Sequence, residues 1–115
     1  MLIAHAVWAI PAGGVDAGET AAVAAKRELL EETGYTAAKW RTFLTYFPTC
    51  GSSDQRFEIF LVHGLTQVNE RFDRNKVMEV RWFGAVEAAQ MVDDCEIVDG
   101  LSLTPILLAM CKGCL

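Results

Sequence analysis

Hydrophobic and polar positions along the chain predict several strands around one long helical segment. Apolar residues run almost without interruption through residues 3–10, which predicts a strand that leads into the turn at Pro11. Bulky and polar side chains alternate from Lys39 to Phe47, and Arg56–His63 is rich in β-branched and aromatic residues, so two further strands are predicted there. The run Thr49–Asp54 has the composition of a loop.

Capping residues predict where the helices begin and end. The first predicted helix covers residues 20–33, with Thr20 as N-cap and Gly34 where a helix needs a residue of positive φ to stop. A polar loop is predicted over residues 66–76, then a strand at Met78–Phe83 and a helix at Ala85–Asp93. The last helix is predicted to start with Thr104 as N-cap and Pro105 at its first position.

Length and composition indicate a single folded domain. The chain has 115 residues, enough for one hydrophobic core over residues 1–115 and too few for two. Apolar residues make up 52%, and the net charge of −5 with no Lys/Arg stripe argues against binding to nucleic acid. No apolar run is long enough to span a membrane, and the four cysteines show no disulfide framework, so we expect a cytoplasmic protein with free thiols.

Acidic residues are concentrated in the first predicted helix. Glu28, Glu31 and Glu32 stand at i, i+3 and i+4, so they project from one face within about 100° of arc. A solvated acidic helix face is one interpretation of such a run. A site for Mg²⁺ is the other, because this ion prefers oxygen ligands and turns the repulsion between neighbouring carboxylates into attraction.

The whole stretch from Gly13 to Tyr35, read as GGVDAGETAAVAAKRELLEETGY, resembles the Nudix box with every fixed position filled. Resemblance to Nudix hydrolases implies an α+β protein: an α/β/α sandwich with a mixed β-sheet flanked by helices, in one domain. It also implies Mg²⁺, with Mn²⁺ as a substitute, and hydrolysis of the diphosphate in a nucleoside diphosphate linked to another moiety.

The same resemblance implies roles for individual residues. The metal ligands would be the Ala12 carbonyl, Glu19, Glu28, Glu31 and Glu32. The catalytic set would be Glu31, Glu32, Arg27 and Glu70. Arg27 is expected to orient carboxylates, reaching Glu31 and Glu19 while pointing away from its sequence neighbour Glu28.

Features outside the box narrow the expected substrate. Pro11–Asp16 and the proline at Pro48 resemble the ADP-ribose and nucleotide-sugar pyrophosphatases, whose substrates give AMP or another nucleoside monophosphate and a sugar phosphate. The residues predicted to contact this small-molecule substrate are Phe47, Ser52, Ser53, Asp54 and Arg56. In those pyrophosphatases a loop glutamate helps to activate water; Lys76 stands nearest that position here, with Glu70, Asp73 and Glu79 as possible replacements.

The segment before the box also departs from the family pattern. Members of the family normally place thirty or more residues, including core strands, before the strand that leads into the box, whereas this chain has about ten. We expect core strands to be short or missing there, and a second copy of the chain to cover the exposed edge in a homodimer. Two alternatives to the pyrophosphatase interpretation remain: a nucleoside triphosphate pyrophosphohydrolase with the same box, and a non-catalytic nucleotide-binding sensor domain.

Overall fold

The structure is a computed structural model that describes residues 2–4, 7–69 and 79–115, with side chains described from residue 8 onward. In chain order the elements are β1 (Leu2–Ala4), β2 (Val7–Ala9), α1 (Ala21–Thr33), β3 (Tyr35–Tyr46), β4 (Phe57–Gln67), β5 (Glu79–Val80), α2 (Ala85–Asp93) and α3 (Gly100–Cys111). Helices and antiparallel strands together confirm the predicted α+β class. The sandwich arrangement of layers stays a prediction.

The chain divides into two compact units. We call Pro11–Lys76 the helix–hairpin unit, and Met1–Ile10 with Val77–Leu115 the terminal unit. The prediction of a single domain over residues 1–115 stays a prediction. No helix in the described parts of the chain has both the length and the apolar character needed to cross a membrane.

Local capping defines α1, the helix of the helix–hairpin unit. The Thr20 hydroxyl accepts a hydrogen bond from the Val23 N–H at 3.2 Å, which satisfies one of the free donors of the first turn. Gly34 has φ 76° and donates its N–H to the Leu30 carbonyl at 2.8 Å, which ends the helix. The predicted boundaries of this helix are confirmed.

β3 and β4 form one long antiparallel hairpin directly after α1. Their register runs from Tyr35 opposite Gln67 to Tyr46 opposite Phe57, with an irregularity between Thr42 and Leu44. Both strands are longer than predicted at the end near the helix. The Gly34 carbonyl accepts hydrogen bonds from the next two residues after β4, Val68 and Asn69, so pairing continues to the point where α1 stops. The predicted polar loop thus loses its first two residues to β4, and residues 70–76 lie outside the described residues.

The terminal unit corrects two predictions about strands. The segment predicted as one strand over residues 3–10 is two short strands, with Ile3 opposite Trp8 in an antiparallel pair. β1 also pairs with β5, so both of its edges find partners for their backbone N–H and C=O groups. β5 covers only Glu79 and Val80, shorter than the predicted strand.

Helix α3 begins one turn before its predicted start. Asp99 is the N-cap: its side chain accepts from the Leu101 N–H at 3.3 Å and from the Ser102 hydroxyl at 3.0 Å. Pro105 therefore lies inside the helix, where its missing N–H leaves one carbonyl of the preceding turn without that partner. The prediction for α2 is confirmed.

A small core holds the terminal unit together. Trp8, Met91, Ile97 and Ile106 form its buried cluster, and the Trp8 ring meets Phe83 edge to face at 4.9 Å between centroids. Ser102 is fully buried beside it and accepts a hydrogen bond from the Ile10 N–H at 3.0 Å. Each polar group of this buried serine thus has a partner within the unit.

Candidate active site

The predicted acidic residues differ in exposure on α1. Glu28 and Glu32, one turn apart, are buried at 6% and 7% exposure. Glu31 lies on the exposed side of the helix, and Glu19 is half-buried in the loop before it. Buried carboxylates are uncommon unless they are paired or bind a cation, so Glu28 and Glu32 are not part of an ordinary solvated face.

Arg27 stands at the centre of the acidic residues. Its Nε and Nη2 atoms donate to the two carboxylate oxygens of Glu19 at 2.9 and 3.0 Å, a bidentate pair. Its Nη1 atom donates to Glu28 Oε1 at 2.8 Å and to Glu31 Oε2 at 3.4 Å. The expectation that Arg27 points away from Glu28 is wrong, because the guanidinium at the end of this long side chain reaches the Glu28 carboxylate.

Two further groups complete the surroundings of Arg27. Nη2 donates to the Gly14 carbonyl at 3.0 Å and lies 3.4 Å from Asp16 Oδ2. No contact between Asp16 and Arg27 was predicted from the sequence. The sequence signal for this contact is the spacing, because Asp16 precedes Glu19 by only three residues. In the structure, Glu19 Oε1 accepts the Asp16 N–H at 2.9 Å, which brings Asp16 close to the partner of Glu19, Arg27.

These contacts shift two pKa values in opposite directions. The hydrogen bonds from Arg27 and from the Asp16 backbone lower the pKa of Glu19 below its ordinary value. The carboxylates of Glu19 and Glu28 raise the pKa of Arg27 further above its already high value. Glu19 and Arg27 are therefore both charged throughout the neutral range.

The glycine-rich loop folds onto the buried carboxylates. The Ala12 N–H donates to Glu32 Oε2 at 2.8 Å, which ties the loop to the last turns of α1. A Cβ atom at Gly13 would overlap the carboxyl end of Glu28, so only glycine allows this approach. The loop thus contacts Glu32 through Ala12 and approaches Glu28 at Gly13, and the assignment of Ala12, Glu28 and Glu32 as metal ligands stays a prediction.

A comparison with known protein families identifies the family of this chain. The profile of the NUDIX domain matches residues 2–97, most of the chain. The chain belongs to the Nudix family. The resemblance stated from the box is therefore confirmed, and Gly13–Tyr35 is its Nudix box.

Three named relatives of this Nudix chain each share between a third and two fifths of the aligned residues. An ADP-ribose pyrophosphatase of Mycobacterium tuberculosis is 34% identical over 104 residues, 88% of this chain and 50% of that protein. An ADP-ribose pyrophosphatase of Bacillus subtilis is 34% identical over 92 residues, 78% of this chain and 50% of that protein. A CMP-5'-(N-acetyl-N-hydroxy-3-aminopropyl)phosphonate hydrolase of Streptomyces rubellomurinus is 39% identical over 85 residues, 74% and 41%. The chain spans about half the length of the curated relatives it matches.

The Nudix box offers one atom in particular to a metal ion. Glu28 Oε2 is buried and has no hydrogen-bond partner among the described residues. A buried carboxylate oxygen without a partner is costly, and a hard divalent cation is one kind of partner that would offset this cost. The oxygen-rich set of Glu28, Glu32 and Glu31 therefore fits Mg²⁺ in its chemistry.

The arrangement of these carboxylates is nevertheless not that of a preformed metal cage. Within the described residues, no group of three or more acidic, histidine or cysteine side chains is placed to hold one ion together. Asp16, Glu19, Glu28 and Glu31 gather instead around the guanidinium of Arg27.

The residues predicted to contact substrate lie together on the loop between β3 and β4. These are Phe47, Ser52, Ser53, Asp54 and Arg56, and all five are exposed. Ser53 Oγ lies 2.7 Å from Thr49 Oγ1 and accepts the Gln55 N–H at 3.2 Å, so this hydroxyl supports the loop's own shape. Arg56 lies 3.9 Å from Glu58, a long and exposed ion pair.

One predicted catalytic residue, Glu70, lies outside the described residues, as do Asp73 and Lys76. Glu79 is the one candidate replacement among the described residues. It is exposed in β5 and lies 3.5 Å from Arg81. The residue that activates water stays a prediction.

Proposed function

We propose that this Nudix domain hydrolyses the diphosphate of a nucleoside diphosphate linked to another moiety, with ADP-ribose or a nucleotide sugar as substrate. The products are AMP, or the corresponding nucleoside monophosphate, and a sugar phosphate. The buried, unpartnered Glu28 Oε2 in an intact Nudix box carries the proposal. Two ADP-ribose pyrophosphatases among the relatives support the substrate class.

Mg²⁺ is the cofactor in this proposal, with Mn²⁺ as a substitute. When bound, the ion neutralises the diphosphate oxygens and the charge that develops as water attacks phosphorus. Glu28 and Glu32 would hold it from the buried side of α1, with the Ala12 carbonyl as a further ligand and Glu19 as an outer one. The hydrogen bond from the Ala12 N–H keeps Glu32 oriented toward the loop.

The remaining residues of the box position these groups and move a proton. Glu31 is exposed, so it is accessible to substrate and water, and we assign it as a further ligand or as the base that takes a proton from water. Arg27 orients carboxylates and does not itself touch the reacting atoms in this proposal. The β3–β4 loop, with Phe47 exposed at 53%, provides a surface for the nucleoside or sugar.

A cleavage assay on a small panel tests the proposal. The purified protein is incubated with ADP-ribose, a nucleotide sugar, a dinucleoside polyphosphate and several nucleoside triphosphates, with Mg²⁺ or with EDTA, and products are separated by ion-exchange chromatography. We expect AMP and a ribose phosphate from ADP-ribose in Mg²⁺ alone. Release of pyrophosphate from triphosphates, without cleavage of ADP-ribose, would instead support a triphosphate pyrophosphohydrolase. A folded, Mg²⁺-binding protein that cleaves nothing would be a sensor domain.

We also propose that the protein acts as a homodimer. The terminal unit exposes Trp82 at 58%, Val86 at 87% and Val98 at 52%, apolar surface of the kind that subunit interfaces cover. Light scattering coupled to size-exclusion chromatography measures the mass in solution. A monomer at all concentrations up to the millimolar range would refute this part of the proposal.

A further inference from the structure

The guanidinium of Arg27 makes two different kinds of contact on its two sides. On one side Nε and Nη2 hold Glu19 as a bidentate pair, and Nη2 also donates to the Gly14 carbonyl at 3.0 Å. On the other side Nη1 alone contacts Glu28 at 2.8 Å and Glu31 at 3.4 Å. The first side is anchored by several short hydrogen bonds in fixed geometry, and the second rests on one donor atom.

Arg27 neutralises carboxylates that would otherwise repel one another. Glu28 and Glu31 are three residues apart on the same helix, where like charges are neighbours and destabilise the helix. Glu28 is buried, so its charge is poorly solvated and needs a nearby cation. In the structure described here, that cation is a side chain of the protein itself.

A metal ion at these carboxylates would perform the same electrostatic task. Both cations seek Glu28 and Glu31, and two positive charges at one small cluster repel each other. Glu28 presents its two oxygens differently: Oε1 faces Arg27, whereas Oε2 has no partner among the described residues. Arg27 thus contacts this carboxylate through one of its two oxygens.

We propose that Arg27 is an internal counter-ion, which a divalent cation displaces from Glu28 and Glu31 while Glu19 and Gly14 keep the arginine in place. This inference rests on the proposed function, since it concerns the same metal site. The bidentate pair with Glu19 fixes the plane of the guanidinium, so the arginine stays bound to Glu19 when Nη1 loses its contacts with Glu28 and Glu31. Arg27 is then a positioning residue that lowers the metal affinity of the site in exchange for a stable metal-free form.

The sign of one mutational effect separates this role from simple support of the metal ligands. If Arg27 only held the carboxylates in place for the metal, Arg27→Gln would weaken Mg²⁺ binding. A displaced counter-ion gives the opposite result, because the variant has nothing to displace and one repulsive charge fewer. Its metal-free form should at the same time be less stable.

Calorimetric titration with Mg²⁺ and thermal unfolding in EDTA measure both quantities. For Arg27→Gln we expect a Kd for Mg²⁺ about threefold lower or more, together with a lower Tm in EDTA. Arg27→Lys keeps the charge and should lie closer to the wild-type protein in both measurements. Lys26→Gln is the matched control, because it removes the same charge from the preceding residue of α1, which is exposed and lies over the Trp40 ring. This variant should leave the Kd for Mg²⁺ nearly unchanged.

Several outcomes overturn the inference. Weaker Mg²⁺ binding by Arg27→Gln, in a wild-type background that binds Mg²⁺, would show a supporting role and would refute this inference alone. An equal effect of Lys26→Gln would show a general charge effect. A wild-type protein that binds neither Mg²⁺ nor Mn²⁺ would refute the proposed function and this inference together.

A measurement on the wild-type protein covers the case in which Arg27→Gln does not fold. The arginine Nε–H and Nη–H resonances are followed by nuclear magnetic resonance as Mg²⁺ is added. We expect the Arg27 Nε–H signal to stay protected by Glu19 while the Nη1 protons shift and exchange faster. Arginine signals that do not respond to saturating Mg²⁺ would contradict displacement.

Discussion

Two buried polar side chains, Ser102 in the terminal unit and Glu28 in the helix–hairpin unit, meet burial in opposite ways. Ser102 is 0% exposed and fully hydrogen-bonded, accepting from the Ile10 N–H and donating to Asp99. Glu28 is 6% exposed, yet one of its carboxylate oxygens has no partner among the described residues. The comparison separates a polar group that stabilises the fold from one whose missing partner, in the proposed function, is a metal ion.

The largest effect should come from removing the charge of Glu28. Glu28→Gln, alone or with Glu32→Gln, should lower Mg²⁺-dependent hydrolysis by at least about a hundredfold, because even residues that only orient metal ligands contribute about 10–100-fold. Its Tm in EDTA should not fall, since a neutral amide costs less to bury than a carboxylate. Turnover is followed by AMP release and stability by calorimetry. A variant that retains full turnover would place the metal elsewhere.

Substitution of Ser102 should affect stability directly. Ser102→Ala leaves the Ile10 N–H without its acceptor inside the terminal unit, so the free energy of unfolding should fall by about 1–3 kcal/mol. Urea unfolding followed by tryptophan fluorescence measures the change. A variant as stable as the wild-type protein would mean that the hydrogen bonds of Ser102 do not stabilise the fold.

The close approach of Gly13 to Glu28 gives a third test. In Gly13→Ala the new Cβ displaces the Glu28 carboxylate, so the Kd for Mg²⁺ should rise about tenfold with little change in stability. Gly14→Ala is the matched control, because a Cβ there meets open space and the carbonyl that accepts from Arg27 is retained. If the two variants bind Mg²⁺ equally well, the loop does not set the position of Glu28.

The smallest effect should appear as a pH dependence of the metal-free protein. Because Arg27 lowers the pKa of Glu19 below its ordinary value of 4.5, the folded protein binds the proton less readily than the unfolded chain. The stabilisation is therefore complete above that value and is lost as the pH falls through the lower folded pKa. Between pH 7 and about pH 3, the Tm measured in EDTA should fall more steeply for the wild-type protein than for Glu19→Gln. Parallel curves would assign acid sensitivity to other groups.

Features that depend on neighbouring residues were predicted well from the sequence. Thr20 and Gly34 bound α1 as expected, because N-caps and positive-φ glycines act within one turn of the helix. The carboxylates of the Nudix box were identified by the same kind of local spacing. The loop at Thr49–Asp54 was also predicted between the correct strands, and its contact with substrate stays a prediction.

Features that depend on choices between partners were predicted less well. The predicted start of α3 was wrong because Asp99 and Thr104 are both acceptable N-caps. The hydrogen bond that the Ser102 hydroxyl donates to Asp99 favours Asp99. The division of the first predicted strand into β1 and β2 accompanies the pairing of β1 with β5, which lies far away in sequence. The contact between Arg27 and Glu28 depends on side-chain rotamers that spacing alone does not specify.

The pairing of Leu2 with Val80 has a consequence for the order of folding. The helix–hairpin unit is continuous in sequence, so its contacts close short loops and should form early, on or off the ribosome. The terminal unit is discontinuous, and its three-stranded sheet must wait until β5 has been synthesised and a long loop has closed. β1 has β2 close by in sequence, but its other edge reaches β5 only after that closure, so until then this edge is available to chaperones or to other strands.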